Sequence, residues 1–278
     1  MKKLLTVAAT LGLVYFTPVT VQAGPQEDLK EFRSYYAERF PDVPFDDFVN
    51  GVYSIDEASR EQWESIEEFP PYELNIEKGK ELFNTPFKNG KTYASCFRND
   101  GIGIKQDFPY YDAASKQVVT LESAINTCRE ENGEAPLGWS KGAIADISAY
   151  MSYTSRGNKI DVKIPSDEGA TDAYNQGKFH FYSKRGQLNL SCADCHKSNA
   201  GNRIRADLLS PALGHVSHFP VYRSKWGGLG TLHRRYGGCN KQVRAKPFSS
   251  QSDEYRNLEY FHTYMSNGLP MNGPGARK

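Results

Sequence analysis

Ser191-Cys192-Ala193-Asp194-Cys195-His196 decides how the rest of the chain is read. Two thiols three positions apart, followed at once by an imidazole, form the Cys-x-x-Cys-His attachment motif of a c-type haem. The thiols add across the vinyl groups of the macrocycle, and the adjacent histidine is held close enough to ligate iron. The alternatives are a redox dithiol or half a zinc site. A zinc site needs a second pair of ligands at finger or ribbon spacing, and the chain offers none. The motif therefore predicts one covalent haem c on Cys192 and Cys195, with His196 as an axial ligand.

Haem attachment of this kind belongs to exported proteins, and the start of the chain agrees. Lys2 and Lys3 precede an apolar core from Leu4 to Phe16 and a small-residue cleavage site at Val21-Gln22-Ala23, which predicts a signal peptide over 1–23 and a periplasmic location. The apolar run is too short to span a bilayer. The charges balance, with 34 Lys and Arg against 33 Asp and Glu, so there is no global pull toward nucleic acid or membrane. About 255 residues follow the signal, which suits two modest domains. With 38% hydrophobic and 13% aromatic residues, packed cores are within reach.

Helical spacing of Leu29, Phe32, Tyr35, Tyr36 and Phe40 predicts an amphipathic helix that ends at Pro41. Ser54-x-x-Glu57 is a candidate capping box for a second helix, in an acidic stretch closed by Pro70-Pro71. Internal similarity then changes the picture. Gly79-Lys80-Glu81-Leu82-Phe83 precedes Ser95-Cys96 as Gly177-Lys178-Phe179-His180-Phe181 precedes Ser191-Cys192, and Ser148 to Ser152 matches His262 to Ser266. The two halves share the layout of a class I cytochrome c domain: a helix beginning at Gly-Lys, a haem-loop cysteine, a long irregular stretch and a terminal helix. The predicted fold is mainly α, two class I cytochrome c-like domains in tandem. A helical extension occupies 24–76, a haem-less domain 77–158 and a haem-binding domain 159–278. The first domain lacks haem because Asn99 and Asp100 stand opposite Cys195 and His196.

Five cysteines are an odd number. Two are committed to haem, which leaves Cys96, Cys128 and Cys239 in an oxidising compartment. The overlay suggests pairing Cys96 with Cys128, although Cys239 can take either partner on sequence grounds alone. The sixth position on the iron has several candidates: Met265, Met271, the histidines at 180, 215, 218, 233 and 262, and Cys239. Met265 lies on the apolar stripe of the terminal helix, which favours a core role, whereas Cys239 also accounts for the odd thiol. Between Leu208 and Ser252 there is no Asp or Glu, while Arg223, Lys225, Arg234, Arg235, Lys241, Arg244 and Lys246 are all basic. Such a run is either a docking face for a redox partner or an anion site that lowers the pKa of the nearby Cys239 thiol. Gly237 and Gly238 would let that thiol approach a large planar cofactor.

Ser95-Cys96-Phe97 with Asn99-Asp100-Gly101, Thr127-Cys128-Arg129 with Asn132 to Pro136, the haem motif, and Arg235-Tyr236-Gly237-Gly238-Cys239-Asn240 together resemble the SoxA cytochromes of bacterial sulfur oxidation, from about Lys78 to Gly275. The resemblance implies an L-cysteine S-thiosulfotransferase subunit with an axial cysteine that carries extra sulfur as a persulfide, by position Cys239, and a substrate-binding arginine, Arg235. It implies the single-haem branch, in which Cys96 and Cys128 form a disulfide. It also implies partners: a SoxX cytochrome in a heterodimer, and the SoxYZ carrier whose cysteine receives thiosulfate. The alternative is a plain electron-transfer cytochrome docking through its basic stretch. A dihaem peroxidase is disfavoured, because it needs two haems and an open iron.

Overall fold

The computed structural model describes residues 24–277, so the export signal expected over 1–23 lies outside the described residues. Among those residues no helix is long and apolar enough to cross a membrane. The fold is mainly α, as expected. Helix α1 (Pro25–Arg39) starts on Pro25, carries Glu27 and Asp28 in its first turn where they complement the helix dipole, and buries Phe32 and Tyr36. An irregular stretch, Phe45–Ser54, leads to α2 (Glu57–Glu67). The expected cap is displaced here. Asp56, not Ser54, accepts from the backbone of Ser59, while the Ser54 hydroxyl turns back to Gly51 O.

The remaining helices form two sets of three: α3 (Glu73–Asn84), α4 (Leu121–Glu131) and α5 (Ala143–Tyr153), then α6 (Glu168–Tyr182), α7 (Leu232–Gln242) and α8 (Asp253–Tyr264). In each set the first helix crosses the last at a glycine. A Cβ on Gly79 would lie 1.9 Å from Asp146 O, and one on Gly177 would lie 2.0 Å from Asn257 O, so the backbones meet at distances no other residue permits. These glycines sit inside α3 and α6. The expectation that each helix begins at Gly-Lys is corrected, because the helices need turns on both sides of the crossing to bury Ile76 and Phe83, or Tyr174 and Phe181. Ser148 to Ser152 and His262 to Ser266 do close their helical segments.

Each set has its own core. One gathers Phe83, Tyr93, Leu121, Ile125, Ile147 and Met151. The larger joins Tyr174, Phe181, Leu258 and Phe261 to Phe32 and Tyr36 of α1. Met265 and Met271 are both buried in the larger core, as expected for Met265. At the seam, Thr231 donates to Trp139 O, Ser152 to Phe219 O and Thr120 to Gln251 Oε1. A three-stranded sheet closes the molecule. Its central strand, Val221–Arg223, runs antiparallel to Gly228–Gly230 and parallel to the C-terminal Gly275–Arg277. Cys96 and Cys128 form the expected disulfide, with Cα atoms 5.8 Å apart.

Candidate haem and thiol site

The turn that carries the motif is wound by two reciprocal bonds: Asp194 Oδ2 accepts from Ser191 N at 2.8 Å, and Ser191 Oγ accepts from Asp194 N at 2.9 Å. The same backbone bond holds the Asp194 carboxyl below the usual carboxylate range. One helical turn then sets Cys192 and Cys195 on a common face, with His196 beside them. From the far side of the fold α1 clamps this turn, because Tyr36 donates to His196 O at 2.6 Å and Tyr35 to Lys197 O at 2.9 Å. His196 Nδ1 lies 3.0 Å from Ser210 O. A carbonyl only accepts, so Nδ1 carries the proton and Nε2 is left with its lone pair.

Helix α7 forms a second wall. Its Leu232, Arg235, Tyr236 and Cys239 recur at helical spacing and all line a cavity of about 400 Å³ that also takes in Cys192, Cys195 and His196. Cys239 is within hydrogen-bond reach of His196. The three thiols differ in kind. Burial pushes Cys192 up to about 12 and raises Cys195 as well. Burial also works against ionisation of Cys239, but Arg235, His196 and Arg223 together outweigh it and bring that thiol down to about 7. Cys239 is the most readily ionised thiol of the three.

Four of the other candidate histidines have contacts of their own, while the buried Nδ1 of His218 has no hydrogen-bond partner among the described residues. His262 bonds Ala212 O through Nε2 and the Tyr236 hydroxyl through Nδ1. His233 pairs with Glu259 at 3.0 Å, and His180 packs against Phe248 and Tyr255. His215 stands edge-on to His196 at 4.4 Å, with its Nε2 bonded to the Ser210 hydroxyl. His218 lines the cavity and stacks on Phe219.

The expected basic cluster is rearranged. Arg235 and Arg223 line the cavity. Arg234 lies over the Trp226 ring at 4.2 Å and donates to Leu229 O, while Arg244 and Lys246 do not reach the cavity. Residues 234 and 235 are adjacent on a helix and so point about 100° apart. Gly237 and Gly238 fall outside the lining, and a Cβ on either meets no protein atom closer than 3.7 Å. Arg185 and Arg277 line the cavity without any signal in the local sequence. Arg277 arrives by strand pairing with Arg223, a contact between residues far apart in the chain.

Residues 78–160 match a family model described as SoxA/TsdA, cytochrome c domain. The L-cysteine S-thiosulfotransferase subunit SoxA of Chlorobaculum tepidum is 57% identical over 260 residues, covering 94% of this chain and 90% of that protein. The chain belongs to the SoxA family. SoxA of Allochromatium vinosum is 55% identical, covering 94% of this chain and 92% of that protein. The crystal structure of SoxXA from P. pantotrophus holds a chain that superposes with a TM-score of 0.69 at 33% identity, covering 75% of this chain and 79% of that one. A SoxA chain is a c-type cytochrome, and the residues of this cavity fit a haem: two thiols on one face, a histidine whose outer nitrogen is already committed, and apolar walls from Phe181, Leu190, Phe219, Val221 and Leu258.

Proposed function

We propose that this SoxA chain holds one haem c on Cys192 and Cys195, ligated by His196 and Cys239, and that it joins thiosulfate oxidatively to a cysteine of a SoxYZ-type carrier. The observation that carries the proposal is the meeting of Cys239, His196 and Arg235 in one cavity. When bound, haem c would supply a one-electron acceptor. Arg235, one helical turn before Cys239 on the same face of α7, binds the dianion and orients its sulfane sulfur toward the thiolate. The Cys239 thiolate and thiosulfate then form Cys239–S–S–SO₃⁻, and two electrons leave for a cytochrome acceptor. The carrier thiolate attacks the sulfane sulfur, takes the S–SO₃⁻ group as a carrier S-thiosulfonate and returns Cys239 as thiolate. If Cys239 carries an extra sulfur, its terminal sulfur plays the same part.

The partners follow from the relatives, which are named as subunits and include the SoxXA structure. We assign a SoxX-type cytochrome as the heterodimer partner, a periplasmic location, a haem-less domain over 77–158 and a haem-binding domain over 159–278. The docking-cytochrome alternative loses part of its docking face, since Arg223 and Arg235 turn into the cavity. Pyridine haemochrome, intact mass and electron paramagnetic resonance on the purified complex test the assignment together. One haem per chain with thiolate-type low-spin signals is expected. Two haems per chain, or methionine ligation, would overturn it.

A further inference from the structure

Six arginines line the cavity: Arg185, Arg203, Arg205, Arg223, Arg235 and Arg277. Their hydrogen bonds separate them. Arg185 donates to the Asn240 side chain and to Lys246 O, and it lies over Phe248 at 4.0 Å. Arg277 donates to Ala276 O at 2.7 Å and to Val49 O at 3.2 Å. Arg203 and Arg205 are exposed on the hairpin formed by Arg203–Ile204 and Asp207–Leu208. That leaves Arg223 and Arg235, both half-buried, whose guanidinium groups donate no hydrogen bond to any described residue. A partly desolvated guanidinium with five donors and no acceptor is costly unless an anion supplies one.

The two groups also oppose each other. Burial, followed by the positive charge of Arg235, pushes Arg223 down to about 10. An anion between them removes that repulsion and satisfies both forks. Arg223 is held rigidly for such a role. Its backbone is central in the three-stranded sheet, opposite Gly228 on one side and Arg277 on the other, and its guanidinium lies 5.5 Å from the centre of the Trp226 ring. Asp207 of the lining acts on Arg223 with a favourable charge, but no acidic residue occurs between Leu208 and Ser252.

We propose that Arg223 is the second arm of a two-arginine clamp for a dianionic sulfur oxyanion, with Arg235 as the first, and that Arg223 gives the site its preference for dianions over monoanions. The clamp rests on the thiosulfate site assigned above. The sulfonate oxygens take both guanidinium groups, which leaves the sulfane sulfur free to face Cys239.

The test uses the holoprotein complexed with its cytochrome partner and follows thiosulfate turnover, with sulfate and methanesulfonate as competing ions. Arg223→Gln is expected to raise KM roughly 10- to 100-fold with kcat changed far less. It should also weaken sulfate competition more than methanesulfonate competition, with the haem spectrum intact. Arg223→Lys, which keeps the charge and loses the fork, should fall between the two and serves if the Gln variant does not fold. Arg234→Gln removes the same charge from a guanidinium that also lies over Trp226 but does not line the cavity, and should leave KM within about twofold. An unchanged KM in Arg223→Gln and Arg223→Lys, or an equal rise in Arg234→Gln, overturns the clamp. If Arg235→Gln impairs turnover while Arg223→Gln does not, the clamp fails and the site stands. If neither does, the site itself fails.

Discussion

Helices α4 and α7 occupy the same place in the two halves, and their cysteines have opposite fates. Cys128 lies eight residues after the N-cap Thr120 (128 − 120), and Cys239 lies eight after the N-cap Thr231 (239 − 231). In the first half that cysteine reaches Cys96, the counterpart of Cys192, and closes a disulfide. In the second half it stays a thiol beside His196. The local difference is in the loop. After Cys96 the chain turns left-handed at Asn99 (φ 50°) and Asp100 (φ 51°), whereas the helical winding after Cys192 continues through Cys195 and His196. One scaffold position thus serves as a covalent staple where Asp100 stands opposite His196 and as the thiol wall of a cavity where the histidine is present.

The glycine crossings give the largest effects. Gly79→Ala and Gly177→Ala each push a methyl into a backbone carbonyl, and each should cost about 3 kcal/mol or more in urea unfolding, with Gly177→Ala also reducing haem incorporation. A normal urea midpoint in either variant would show that the crossings are not as close as described. The staple comes next. Removing it as Cys96→Ser with Cys128→Ser opens a loop with a sequence separation of 32 and should cost roughly 3–4 kcal/mol, while the Soret band stays unchanged. A shifted Soret band would mean that the halves are not independent at this point.

Acid separates the halves further, because all six histidines lie at or beyond His180. Burial pushes His180 and His262 down to about 4 each. Between pH 6.5 and about 4 the unfolded chain takes up protons that these folded groups refuse, so stability falls as pH falls through that window, by roughly 2–3 kcal/mol for each histidine. Native-state proteolysis at pH 7 and pH 5, with cleavages mapped along the chain, should show the second half opening first. The smallest effect is at the caps. Thr120 completes a capping box with Ser123 and also donates to Gln251 across the seam, so Thr120→Ala should cost about 1 kcal/mol from the cap alone. Thr231 makes no side-chain cap bond and donates to Trp139 O instead, so its loss should loosen the seam rather than α7.

Much of this was legible in the chain. Cys-x-x-Cys-His fixes its own local geometry, and the spacing of four between Arg235 and Cys239 puts both on one helix face. The equivalence of Cys128 and Cys239 was also there, in Thr120-Leu121 and Thr231-Leu232, eight positions before each cysteine, although the matching glycines and terminal helices drew the overlay. The clamp of α1 on the haem-motif turn was not legible, because Tyr36 bonds a carbonyl 160 residues away. Nor was the pairing of Arg223 with Arg277, which depends on the C-terminal strand returning beside the sheet. Sequence periodicity reports which face of a helix is apolar, and not which distant backbone will meet it.

The most direct test of the central claim is thiosulfate turnover by Cys239→Met in the presence of the carrier. Methionine can ligate iron but cannot accept sulfur. The account predicts a holoprotein that retains haem, shows an altered ferric spectrum with a raised potential, and has lost thiosulfate transfer to background. Wild-type turnover in that variant would contradict it and leave electron transfer as the function of this cytochrome.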